Sequence, residues 1–188
     1  MTTLIECIPN ISEGRRPEVV EAVRKAALGA GPGVLLLDWT SDADHNRSVL
    51  TFLGDGPGLL RGMEAMVDEA IRHVDLTKHE GAHPRLGAVD VIPFVPIRGA
   101  TTADCVELAK ELGARLASKH GLPIYLYEDA ATSEARRNLA TIRKGEFEGL
   151  AEKMKSPEWK PDFGPDAPHP TAGATVVGAR SPLIAYNI

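Results

Sequence analysis

Apolar and polar positions follow two rhythms along this chain, one with the 3.6-residue period of a helix and one of short apolar runs. Residues 4–11 form such a run, bounded by Pro9, Asn10 and Ser12, and read as a strand. Helical spacing follows over 17–29, where Val20, Val23 and Ala27 make one stripe. Pro17 suits the first helical position, Glu18 and Glu21 the positive end, Arg24 and Lys25 the negative end, and Gly29 or Gly31 the stop. The runs 34–38 and 47–54 flank a polar turn, Asp42-Ala43-Asp44-His45, and predict a hairpin. Leu59, Met63, Met66, Val67, Ala70, Ile71 and Val74 keep helical spacing throughout, which predicts a second helix over 56–74.

Residues 89–95 are almost continuously apolar, as a strand buried on both faces would be. A third helix is predicted over 101–120. It opens on Thr101-Thr102-Ala103-Asp104, a capping-box-like start, buries Cys105, Leu108, Ala109, Leu112 and Leu116, and ends at Gly121. Residues 124–127 read as a short strand, 132–154 as helix broken at Gly145, and 174–177 with 183–185 as a strand pair. The succession β-α-β-β-α-β-α-β predicts an α+β fold. Its first six elements match the split β-α-β, ferredoxin-like plan, with extra helices and a C-terminal Pro-rich loop.

That loop, residues 155–171, holds Pro157, Pro161, Pro165, Pro168 and Pro170 and has no periodicity. Long aperiodic segments are functional or disordered. Trp159 and Phe163 favour an ordered binding loop, because aromatic side chains are costly to leave loose in water. The plainer reading is a linker.

Composition narrows the class. With 188 residues, 43% hydrophobic and 25% charged, the chain has the make-up of a soluble globular domain with its own core. A net charge of −5 argues against general nucleic-acid binding, which needs a basic footprint. Cys7 and Cys105 lie among apolar neighbours and read as buried, reduced thiols, with no metal-type spacing. No apolar run approaches the ~20 residues of a membrane span, and the first residues lack a secretory pattern. The expectation is therefore a cytoplasmic protein, away from membranes.

Three polar clusters are candidates for chemistry. The first is His79-Glu80-Gly81-Ala82-His83-Pro84-Arg85-Leu86-Gly87, between a helix and a buried strand. His83 titrates near neutrality, and Pro84 restricts its backbone. A lone loop histidine is also often just exposed or structural. His79 and His83 have metal-ligand spacing only on a helix, which Gly81 and Pro84 disfavour, so no metal is expected. The second cluster, Asp42 to Arg47, includes His45, Asn46 and Arg47 and suits a carboxylate or an amino-acid backbone, or is a polar turn. The third, Pro9 to Arg16, contains Asn10 and is either a site edge or the lead-in to the first helix.

Longer stretches resemble a known family. Glu6-Cys7-Ile8-Pro9-Asn10-Ile11-Ser12-Glu13-Gly14 is similar to the opening of formiminotransferases. So are His45-Asn46-Arg47, Thr51-Phe52-Leu53-Gly54, His83 through Val91, Pro123 through Tyr127, Arg143-Lys144-Gly145-Glu146-Phe147, Trp159 through Pro165 and Gly173 through Arg180. These matches are collinear from residue 6 to about 187.

The resemblance implies a transferase that moves the formimino group of N-formimino-L-glutamate to N5 of tetrahydrofolate in histidine degradation. It implies that residues 1–188 are the N-terminal subdomain of a two-subdomain transferase region, facing a second subdomain, a partner chain or another copy. It makes His83 the catalytic acid/base. It maps folate contacts to Gly164, Pro165, Asp166, Ala167, Pro168, His169, Pro170, Thr171, Ala172 and Gly173. Asn10, His45, Asn46, Arg47 and Arg85 are the substrate-binding candidates, the arginines for glutamate or folate carboxylates. The competing expectations are a non-catalytic folate-binding relative and a structural domain without a ligand.

Overall fold

The computed structural model describes residues 3–183. It is a mixed α+β structure on a seven-stranded sheet. The elements in chain order are β1 (Leu4–Cys7), β2 (Asn10–Ile11), α1 (Pro17–Gly29), β3 (Val34–Asp42), β4 (Arg47–Gly54), α2 (Gly56–His73), β5 (Val89–Arg98), α3 (Thr102–His120), β6 (Ile124–Glu128), α4 (Leu139–Arg143), α5 (Glu146–Lys153) and β7 (Thr175–Ala179). Across the sheet the order is β3, β4, then β1 and β2 in line, then β5, β7 and β6. Pairings from β3 to β5 are antiparallel, and those of β7 with β5 and β6 are parallel.

The strand expected over 4–11 is thus two strands. Pro9 lacks the N–H that would continue the ladder, although its carbonyl still accepts from Leu50 N at 3.0 Å. The expected hairpin forms, with β3 reaching Asp42. The helices over 17–29, 56–73 and 102–120 form as the periodicity predicts, and Thr101 with Asp104 makes a full capping box. Arg24 and Lys25 pair with Glu21 rather than closing the end of α1, and Arg24 stacks on Trp39, 3.4 Å from the ring centre.

Alternation on β4 decides which face is which. Ser48, Leu50 and Phe52 are buried, while Arg47, Val49, Thr51 and Leu53 are partly open. The buried set meets α1, α2 and α3 in one core. Phe52 and Phe94 flank Cys7 in register there, fully buried, each worth about 1.5–3 kcal/mol relative to exposure. On the opposite face, α4 and α5 cover only the β5–β7–β6 half, through Ile142, Leu150 and Met154 against Tyr125, Tyr127 and Val176. Residues 89–95 are consequently buried on both faces. The β3–β4 half of that face is uncovered, with Leu35 57% exposed.

The Pro-rich segment is packed onto the domain, not led away from it. Tyr125 Oη donates to Trp159 O at 2.7 Å, Arg136 pairs with Asp162 at 2.8 Å, and Phe163 bridges to Ile124. Residues 184 and 185 of the expected last strand lie outside the described residues; β7 covers Thr175–Ala179. Among the described residues no helix is long and apolar enough to cross a membrane.

Candidate active site

The site forms where the β3–β4 turn meets the segment between α2 and β5. Asn46 holds the two together. It sits in left-handed backbone (φ 48°), and its side chain accepts from Gly14 N at 3.0 Å and donates to Glu80 O at 2.9 Å. Its carbonyl faces His79 Nε2 at 3.0 Å. Ala82 N donates to Asp44 O. Gly81 lies so close to His45 O that a Cβ has no room, which explains the glycine.

These ties bring His83 to a cavity of about 500 Å³ lined by Thr40, Ser41, Asp42, His45, Arg47, Val49 and His83. The rings of His45 and His83 are 6.4 Å apart and roughly edge-to-face. Asp42 Oδ2 lies 2.7 Å from His45 Nδ1, and Asp42 Oδ1 accepts from the backbone N–H of both Asp44 and His45 at 2.9 Å. The His45 backbone bond first, then the His45 ring, hold the Asp42 carboxyl below its usual range.

Arg47 projects from the open face of β4, half-buried, with Asn10 Oδ1 accepting from its Nε at 2.7 Å and from its Nη2. It makes no ion pair among the described residues, and burial and the neighbouring Arg143 work against its charge. Arg143, at the end of α4, donates to Asp90 Oδ2, and Asp90 Oδ1 accepts from Leu86 N at 2.7 Å. The Nε of Arg143 is buried with no partner. Two guanidiniums thus approach His83. Burial first, then Arg47 and Arg143, push its imidazole down to about 4, so it is neutral at pH 7.

Of the residues expected here, the structure gathers His83, His45 and Arg47. Asn10 and Asn46 act behind them: one orients Arg47, the other joins the loops. Arg85 departs from expectation. It is buried, and Glu148, Glu146 and His79 take its donors at 2.7–3.2 Å. No guanidinium N–H is left for a substrate carboxylate, and Arg85 instead fastens the His83 segment to the start of α5. His79 and His83 lie in a non-helical segment, as Gly81 and Pro84 suggest. Arg143, Asp90 and Asp42 are additions. Asp42 stood in a polar cluster; Arg143 opened a stretch with family resemblance, Arg143 through Phe147, but was not singled out as a site residue.

The segment from Gly164 to Gly173 does not line this cavity. Gly173 pairs with Gly87 and with His169, Ala88 N donates to Ala172 O, and Leu76 N donates to Thr171 O. Lys160 pairs with Asp166. The segment therefore abuts the far end of the His83 segment, at Gly87. A second cleft, of about 400 Å³, contains Arg15, Arg16, His73, Lys78 and His79, on the other side of Asn46. Its charges are largely paired, Arg16 with Glu13 and Lys78 with Asp75, and it lacks His83.

Comparison with known proteins bears on this geometry. Residues 4–180 match the formiminotransferase domain, N-terminal subdomain. The chain is 50% identical over its whole length to a glutamate formimidoyltransferase of Streptococcus pyogenes serotype M1, covering 62% of that protein. It is 44% identical to a glutamate formimidoyltransferase of Thermoplasma acidophilum, covering 61% of it, and 47% identical to a formimidoyltransferase-cyclodeaminase of Dictyostelium discoideum, covering 35%. The chain thus spans between about a third and three fifths of these curated relatives. Since the match runs from residue 4 to residue 180 and so spans every strand of the sheet, the chain belongs to the formiminotransferase N-terminal subdomain family.

Proposed function

We propose that this chain carries the acid/base wall of a glutamate formimidoyltransferase, moving the formimino group of N-formimino-L-glutamate to N5 of tetrahydrofolate. One observation carries the reading: a neutral histidine, His83, lining one cavity with Arg47, which makes no ion pair among the described residues, and close enough to Arg143 to feel its charge. N5 must lose a proton as it attacks the amidine carbon, and a neutral imidazole is ready to take it. Positioned proton transfer of this kind is worth about 10²–10⁴ in rate. Arg47 and Arg143 suit the carboxylates of an anionic substrate. A carboxylate bound between them would offset the two cations that depress His83 and strengthen it as a base at the moment of need.

The fold supports the same reading. The order β3, β4, β1, β5, with α1 and α2 on one face, supports a split β-α-β plan for this subdomain. We take residues 1–188 as one subdomain, with the uncovered β3–β4 face, where Leu35 stands exposed, meeting a second subdomain or another copy. The Gly164–Gly173 segment enters as the folate-contacting wall that family resemblance implies. A folate touching both it and His83 would lie along residues 83–87, because Gly87 pairs with Gly173. The proposal includes a cytoplasmic location and no metal.

The test is His83→Gln in the full-length protein. Formimino transfer should fall by at least about a hundredfold while tetrahydrofolate still binds. A near wild-type transfer rate would remove His83 from the mechanism.

A further inference from the structure

Resting on that transfer reading, we infer that His45, held by Asp42, is a second catalytic group that protonates the departing amine, leaving His83 as base alone. A single imidazole would have to release a proton at a different nitrogen from the one that supplied it. The cavity offers two imidazoles instead. Both line it, with ring centres 6.4 Å apart, wide enough for a tetrahedral carbon and its nitrogens to sit against both.

The two rings differ in their surroundings. His83 is half-buried beside Arg47 and Arg143, surroundings that favour a neutral base. His45 sits at the cavity mouth with Asp42 Oδ2 2.7 Å from Nδ1. That contact places the Nδ1 proton on the carboxylate side and leaves Nε2 as the atom free to serve the cavity. Two backbone N–H groups fix Asp42 in turn. A carboxylate orienting an imidazole and countering the charge it carries is the arrangement of an acid/base histidine. The charged and titratable groups lining the cavity with His45 are Asp42, Arg47 and His83.

The step balances as follows. N5 of tetrahydrofolate bonds to the amidinium carbon, and the carbon–nitrogen double bond becomes single. The N5 proton passes to Nε2 or Nδ1 of His83. His45 Nε2 gives its proton to the glutamate nitrogen, the bond from carbon to that nitrogen breaks, and the amidinium re-forms on N5. Glutamate leaves with a neutral amine. One proton then passes from His83 to His45, directly or through solvent, and both groups are reset.

The experiment uses the full-length protein, His45→Gln, Asp42→Asn and His83→Gln, and two formimino donors: formiminoglutamate and an aryl formimidate, whose phenolate leaves without protonation. With formiminoglutamate, kcat should fall about a hundredfold in H45Q, less in D42N, with KM little changed. With the aryl formimidate donor, H45Q and D42N should recover to near the wild-type rate while H83Q does not. Circular dichroism melts confirm that each variant is folded; should H45Q melt early, D42N alone carries the comparison. Equal loss of H45Q with both donors makes His45 a binding or structural group and overturns the assignment, as does an H45Q rate equal to wild type. If the wild-type protein transfers from neither donor, the transfer reading itself fails and takes this assignment with it.

Discussion

Replacing Arg47 with Gln removes the strongest charge acting on His83 while preserving the contact behind it, since a Gln amide can still donate to Asn10 Oδ1. His83 is pushed from the ordinary 6.5 to about 4, chiefly by burial and next by Arg47. As the second cause, Arg47 accounts for at most about half of the lowering, so the variant should titrate on the order of one unit higher. At pH 7 the wild-type ring is protonated in about one molecule in a thousand, against about a quarter for an unperturbed histidine. The sign for stability follows from the same numbers. The unfolded chain binds a proton at His83 near 6.5 and the folded chain only near 4, so His83 stabilises the fold above 6.5 and this contribution is lost as pH falls from 6.5 through 4. NMR titration of the His83 ring in both proteins is the assay. A wild-type midpoint at or above 6.5, or a midpoint unmoved in R47Q, would refute the account of how this site holds its base.

Arg143→Ala should raise KM for formiminoglutamate about tenfold or more with a smaller effect on kcat, because one of two carboxylate-facing cations goes; steady-state kinetics check it. Gly81→Ala should displace the His83 segment, since the new Cβ meets His45 O, and lower kcat well before it lowers the melting temperature. Asp104→Ala removes half of the capping box of α3 and should lower the urea midpoint with transfer unchanged.

The helices were legible in the sequence because each carries a 3.6-residue stripe, and two carry a local punctuation mark as well: Pro17 for α1, and Thr101 with Asp104 and Gly121 for α3. The hairpin and the doubly buried β5 were legible for similar reasons. Family resemblance pointed to His83, His45 and Arg47, and the structure brings the three to one cavity. Arg85 was misplaced because chain proximity suggests a shared direction. The segment is irregular, and residues two apart there need not face the same way, so Arg85 turns to Glu148 and His83 to the cavity. Arg143 was invisible as a site residue because only tertiary folding, through Asp90, brings α4 to a loop 60 positions earlier (143 − 83). The break at Pro9 followed from a rule that the apolar run masked.

The central place of β7 sets the order in which this protein can be completed on the ribosome. Among the described residues β6 finds its strand partner in β7, about 50 positions later (175 − 124 = 51), and β7 also closes against β5. A nascent chain that has emerged as far as Glu128 can already assemble β1 to β5 with α1 to α3, because those pairings lie wholly within it. Beyond the bridge of Ile124 to Phe163, the apolar run Ile124-Tyr125-Leu126-Tyr127 must wait for its strand partner until Thr175–Ala179 is made. At roughly 5–20 residues per second that wait is several seconds, long enough for a chaperone to bind and long enough for aggregation to compete. Synthesis therefore delivers the His83 turn early and its α4 partner, Arg143, into a half-built sheet, so the site is finished only after the last strand slides between two that are already there.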